Sequence, residues 1–153
     1  MDDMVLYDAQ ACSVCQACSV ACIDEKDLPR GDGRVCAYRT VTEEETRTPE
    51  GGFRFVRRMA GCMHCAQAPC ITACPKGCFV RDRETGLVLL DGRACVGCGA
   101  CAKSCPHRAI RFNDCGKAEK CDGCIDRVRH GLRPACEMIC PPEALHFQLK
   151  PPD

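Results

Sequence analysis

Sixteen cysteines fall into four groups of four, and no fold open to this chain can ignore them. The first group is Cys12, Cys15, Cys18 and Cys22, spaced C-x2-C-x2-C-x3-C. The second is Cys62, Cys65, Cys70 and Cys74, with four residues in its middle gap and Pro75 after it. The third is Cys95, Cys98, Cys101 and Cys105, spaced like the first and followed by Pro106. The fourth is Cys121, Cys124, Cys136 and Cys140, with eleven residues in the middle gap and Pro141 following. Each group ends in C-x3-C. In C-x2-C-x2-C three thiolates on one wrapped loop converge on three corners of a cubane, and a fourth cysteine three residues on, usually before Pro, ligates the neighbouring cluster in two-cluster ferredoxins. Proline there removes a backbone donor and turns the chain away. Zinc sites normally pair two C-x2-C hooks across a linker and do not use this third spacing. The spacings therefore point to [4Fe-4S] clusters, four of them.

Composition agrees that something other than an apolar core holds the chain. Of its 153 residues 46% count as hydrophobic, but 19 of these are Cys and 16 are Ala, leaving 35 to build a core. That is thin against an ordering cost of about 1–2 kcal/mol per residue. So high a cysteine content marks a chain stapled by disulfides or by metal. The odd count and the acidic opening Met-Asp-Asp-Met, where a secretory signal needs a basic stretch and an apolar run, favour metal and reduced thiols. Arg57 and Arg58 form a twin arginine, but mid-chain. The longest apolar run, residues 87–90, is far too short to span a bilayer, so no direct membrane insertion is expected. The chain reads as a cytoplasmic protein. Its formal net charge is zero with 21 Lys and Arg against 21 Asp and Glu. Four clusters at about −2 each would make the loaded protein strongly acidic, so the cations read as counter-charge and not as a nucleic-acid surface.

Between the groups, glycines and prolines predict short strands in preference to long helices. Residues 35–41 and 53–58 flank the turn-rich residues 48–52 and predict a hairpin with a long tip. Residues 79–81 and 87–90 flank a four-residue turn and predict a tighter one. Single helical turns are expected after the fourth cysteine of each group, and a short helix over 125–130 ending at Gly131.

The stretches CMHCAQAPCITACP (62–75), CVGCGACAKSCP (95–106) and CDGCIDRV (121–128) resemble the four-cluster, ferredoxin-like electron-transfer subunits of the DMSO reductase and formate dehydrogenase type. That group also serves hydrogenases, carbon monoxide dehydrogenase and tungsten aldehyde oxidoreductases. The resemblance covers about residues 4–148, and its most diagnostic element is group four, with Lys120, Asp122, Gly123, Asp126, Arg127, Gly131 and Pro134 in place. It implies nested ligand sets: Cys12, Cys15, Cys18 and Cys140 (a); Cys121, Cys124, Cys136 and Cys22 (b); Cys62, Cys65, Cys70 and Cys105 (c); Cys95, Cys98, Cys101 and Cys74 (d). It implies an α+β fold of two fused ferredoxin-like modules in a single domain over residues 1–153. The outer cluster pair would come from 4–35 plus 115–148, the inner pair from 59–110, and hairpin 35–58 would connect them. It further implies that catalysis lies elsewhere, on a large molybdopterin- or tungstopterin-containing catalytic subunit as partner, with a flavin or hydrogenase subunit as a further possibility. A free polyferredoxin shuttle and a zinc protein are the competing functions.

Around the ligands, Lys76, Lys103, His107 and Arg108 read either as charges that raise a nearby potential or as solvated counter-charges. His64 lies between two cysteines of a group that already has four, and is expected near a site without ligating. Cys36, Cys78 and Cys115 are left over and are expected to be small buried apolar residues. The first hairpin and the termini, the longest parts not committed to ligation, are expected to dock the catalytic subunit.

Overall fold

A computed structural model describes residues 3–28 and 37–149. The chain runs β1 (Val5–Tyr7), α1 (Ala17–Glu25), β2 (Arg39–Arg47), β3 (Phe53–Gly61), α2 (Pro69–Ala73), β4 (Phe79–Arg81), β5 (Val88–Leu90), a 3-10 turn (Gly92–Ala94), α3 (Ala100–Ser104), β6 (Arg111–Phe112), β7 (Ala118–Glu119), α4 (Ile125–Arg129), α5 (Ala135–Met138) and β8 (Leu145–Phe147). This is the α+β arrangement expected: short helices and four separate antiparallel strand pairs, β1-β8, β2-β3, β4-β5 and β6-β7.

Both sequence-predicted hairpins form. The first is longer than expected, because all of Thr42–Arg47 pairs with Phe53–Arg58 in unbroken register. Its base is buried at Arg39 and Val41, and its distal two-thirds on the β2 side is exposed. The expected single turns follow the fourth cysteine in groups two to four, where the Cys74, Cys105 and Cys140 carbonyls accept from the amides of Gly77 (3.2 Å), Arg108 (3.3 Å) and Glu143 (3.1 Å), but short helices also lead into these cysteines and stop there. Proline explains the stop. Helices α2, α3 and α5 end just before Cys74, Cys105 and Cys140, whose successors Pro75, Pro106 and Pro141 deny the helix both a donor and the required preceding conformation. Group one has Ile23 in that place, so α1 runs on through Cys22 to Glu25 as a nine-residue helix. Helix α4 ends at Arg129 with Gly131 at φ +75°, as the sequence indicated.

Helix α1 packs on α5, and α2 on α3. Around α2 and α3 the apolar cluster comprises Ala68, Cys78, Phe79, Val88, Cys101, Ile110 and Ala118. A second comprises Val5, Leu87, Ile125, Cys136, Leu145 and Phe147. The two are joined through β5. Val88 belongs to the first, while its neighbour Leu87, fully buried, belongs to the second. Gly123, at φ +71°, accommodates Leu87: a Cβ there would stand 2.5 Å from Leu87 Cδ2. The chain ends meet at β1-β8, and Met4 N–H donates to the Met63 carbonyl (3.1 Å), tying that pair to the second cysteine group. Asp82 and Arg129 (3.1 Å) form a further tie between the β4-β5 turn and α4.

Candidate iron-sulfur sites

The four cysteine loops share a backbone device. The residue two places after the first cysteine of each group is left-handed: Val14 (φ +58°), His64 (φ +48°), Gly97 (φ +69°) and Gly123 (φ +71°). That turn curls the amide back over the thiol, so Val14 N–H donates to Cys12 Sγ (3.4 Å) and Gly123 N–H to Cys121 Sγ (3.3 Å). After the prolines the chain folds back a second time. The fourth cysteines of groups two, three and four accept at Sγ from the amide four residues on: Cys78 to Cys74 (3.3 Å), Ala109 to Cys105 (3.4 Å) and Ala144 to Cys140 (3.3 Å). Cys22, inside its helix, has the ordinary helical bond instead, Lys26 N–H to its carbonyl. Amide donors aimed at sulfur favour the thiolate, the form that binds iron.

Three cavities collect the thiols of twelve cysteines. One is lined by Cys62, Cys65, Cys70 and Cys105. Another is lined by Cys95, Cys98, Cys101 and Cys74, with Cys78 beside them. A third is lined by Cys121, Cys124, Cys136 and Cys22. Cys12, Cys18 and Cys140 meet in an apolar cluster with Val41 and Ala144, and Cys18 and Cys140 sense each other's charge; Cys15 stands exposed at the outer end of its loop. Burial first, with neighbouring thiolates adding to it, pushes the Cys65 and Cys124 thiols up to about 11 and that of Cys136 to about 12. Four such thiolates can share one cavity only around a polycation, and the all-sulfur donor sets fit iron.

His64 is fully buried against the Cys62 cavity; its Nδ1 accepts from Val88 N–H (3.0 Å) and its Nε2 has no partner. Lys76, Lys103 and Arg108 are exposed, and His107 is half-buried, 3.5 Å from Asp3. These two lie with Cys65 in a small cluster of possible metal donors, but Cys65 is already committed to the cavity thiols. Cys78 is buried as expected. Cys115 is not: it sits exposed in the β6-β7 turn, where the Asn113 side chain orders the backbone by accepting from Cys115 N–H (3.1 Å). Cys36 lies outside the described residues.

Two buried cations went unread in the sequence. Arg39 is 1% exposed and Lys120 6%. A period-two reading of Ala37, Arg39 and Val41 puts the arginine on the inward strand face, and all three are buried. Lys120 stands in the group-four motif that carries the resemblance, but nothing in that motif indicates its burial.

The fold and the thiol-lined cavities define an iron-sulfur protein, and residues 55–150 match the 4Fe-4S dicluster domain. The chain is 40% identical over 146 residues to the thiosulfate reductase electron transfer subunit PhsB of Salmonella typhi, spanning 94% of this chain and 74% of that one. It is 34% identical over 157 residues to the nitrate-inducible formate dehydrogenase iron-sulfur subunit of Escherichia coli (95% and 53%). To the B component of the anaerobic dimethyl sulfoxide reductase of that organism it is 33% identical over 163 residues (92% and 70%). The chain thus spans little more than half of the formate dehydrogenase subunit. It belongs to the 4Fe-4S dicluster domain family of iron-sulfur electron-transfer subunits, non-catalytic components of oxidoreductases. No helix among the described residues is long and apolar enough to cross a membrane.

Proposed function

We propose that this chain holds four [4Fe-4S] clusters in the sets a to d and conducts single electrons between a large molybdopterin- or tungstopterin-containing catalytic subunit and another redox partner. One observation carries the reading: each of the three cavities is lined by three cysteines of one group and one cysteine of another, so the thiols converge by cavity and not by sequence group. The partial gathering of Cys12, Cys18 and Cys140 supports set a. A bound cubane with four thiolates supplies a one-electron change of charge and makes no bond to substrate. The cysteines hold it, the amides of Val14, Cys78, Ala109, Gly123 and Ala144 donate to the ligating sulfurs, and the apolar walls keep water away. Hydrogen bonds and burial of this kind set a cluster's potential. A catalytic partner is drawn from the relatives, all three of which are named as parts of a reductase or dehydrogenase and one of them as its electron transfer subunit. A cytoplasmic place of action belongs to the same proposal.

Anaerobic isolation from the native source tests it. The expected result is about sixteen iron and sixteen sulfide per chain, with a large pterin-bearing subunit in the same complex, in the cytoplasmic fraction. Zinc, or about eight iron, defeats the four-cluster reading, and a fully loaded chain arriving alone indicates a free shuttle.

A further inference from the structure

Arg39 and Lys120 are buried charges without acidic partners. Arg39 donates from Nη2 to the Cys62 carbonyl (2.9 Å) and from Nη1 to Met59 Sδ (3.0 Å), lies 5.4 Å above the Phe147 ring, and leaves Nε with no partner. Lys120 Nζ donates to the carbonyls of Val88 and Cys121, the latter at 2.6 Å. Among the described residues no carboxylate pairs with either. A buried cation is tolerated when opposite charge faces it. Glu119 and Asp122 share a surface cavity with Lys120, but the charges that face both cations on the buried side are sulfur. Arg39 lines the cavity of Cys22, Cys121, Cys124 and Cys136, and its strongest charge partners are Cys121, Cys136 and Cys62. Lys120 lines the cavity of Cys62, Cys65, Cys70 and Cys105, where it acts on Cys62 and Cys70. Space is kept for the guanidinium: a Cβ on Gly61 would stand 3.2 Å from Arg39 Nη1. The two cavities are neighbours, since the Cys62 and Cys121 thiols sense each other's charge.

We propose that Arg39 and Lys120 are fixed positive charges that favour electron residence on the two clusters meeting at Cys62 and Cys121, raising the potentials of both. The inference rests on the proposed ligand sets b and c. Reduction adds one negative charge to a cluster, and in a low-dielectric interior a cation beside it stabilises that charge far more than an exposed one does. The exposed Lys76, Lys103 and Arg108 cannot act so strongly.

The test is a redox titration of the anaerobically loaded chain followed by electron paramagnetic resonance, with iron counted in every sample. Lys120→Gln and Arg39→Gln keep hydrogen-bond donors and lose the charge. Each is expected to move at least one reduction wave negative by tenfold or more in its equilibrium constant, about 59 mV for one electron. Lys120→Arg is expected to return the wave, and the exposed Lys103→Gln to move none. Wild-type titration curves for both Gln variants at full iron content overturn the proposal, as does an equal shift from Lys103→Gln. If Arg39→Gln fails to load, the Lys120 series decides alone. Fewer than about sixteen iron in the wild-type chain would instead bring down the ligand sets themselves.

Discussion

Gly97 and Asp82 show how single positions hold the cysteine loops in shape. A Cβ on Gly97 would stand 2.3 Å from the Gly116 carbonyl oxygen, and its φ of +69° already disfavours any side chain. Gly97→Ala is expected to cost about 2 kcal/mol or more, from left-handed strain plus a clash that only backbone movement relieves. The readout is a lower temperature for bleaching of the visible cluster absorption under anaerobic heating. Val14 holds the corresponding place in group one as a β-branched residue, so that loop bears strain that group three avoids. Asp82 accepts from Thr85 Oγ1 (2.7 Å), from Thr85 N–H (3.0 Å) and from Arg129, which together hold its carboxyl below the usual 3.8. A depressed acid contributes stability above its ordinary value and loses it as pH falls through the lowered one. Asp82→Asn is therefore expected to cost about 1–2 kcal/mol at neutral pH. The difference in thermal midpoint between the two proteins should stay level down to about pH 5 and shrink only below the ordinary carboxylate value.

At the scale of elements, the β2-β3 hairpin anchors its base in the protein and leaves its distal part exposed. Phe53 (57% exposed) and Phe55 (60% exposed) alternate onto one face near its tip, where Arg47 lies over the Phe53 ring. Exposed aromatics flanked by charge are suited to an interface. Phe53→Ser with Phe55→Ser is expected to weaken recovery of the catalytic subunit in a pull-down while leaving iron content unchanged; undiminished recovery would remove the hairpin from the docking surface. Both longer hairpins are legible in the sequence because strand-forming runs flank marked turns. The β6-β7 pair is not, since two residues per strand give no period to read. Pairing of β1 with β8 joins residues about 140 apart, and local pattern carries nothing about such a contact. The turns after the fourth cysteines are legible from their prolines, whereas the helices that lead into them are not, because four or five residues give no helical period to read. At the sites, cysteine spacing alone marks out the four groups; the burial of Arg39 and Lys120 depends on tertiary packing, which overrides the usual exposure of charged residues.

Taken whole, the molecule has four modest apolar clusters among its described residues, the two larger joined at Leu87 and Val88, and cysteines belong to every one of them. Removal of iron should therefore unfold it: anaerobic chelator treatment is expected to abolish the far-UV secondary-structure signal, and a native-like spectrum without iron would show that the apolar clusters suffice. The meeting of Cys140 with Cys12 and Cys18 bears on how the protein is made. Under the proposed ligand sets, a nascent polypeptide has every thiol around the Cys62 and Cys95 cavities once Cys105 has left the ribosome, whereas the first cysteines to emerge wait for one of the last. A transcript truncated shortly before Cys140 is then expected to yield a product able to complete the sets around Cys62 and Cys95 and never set a.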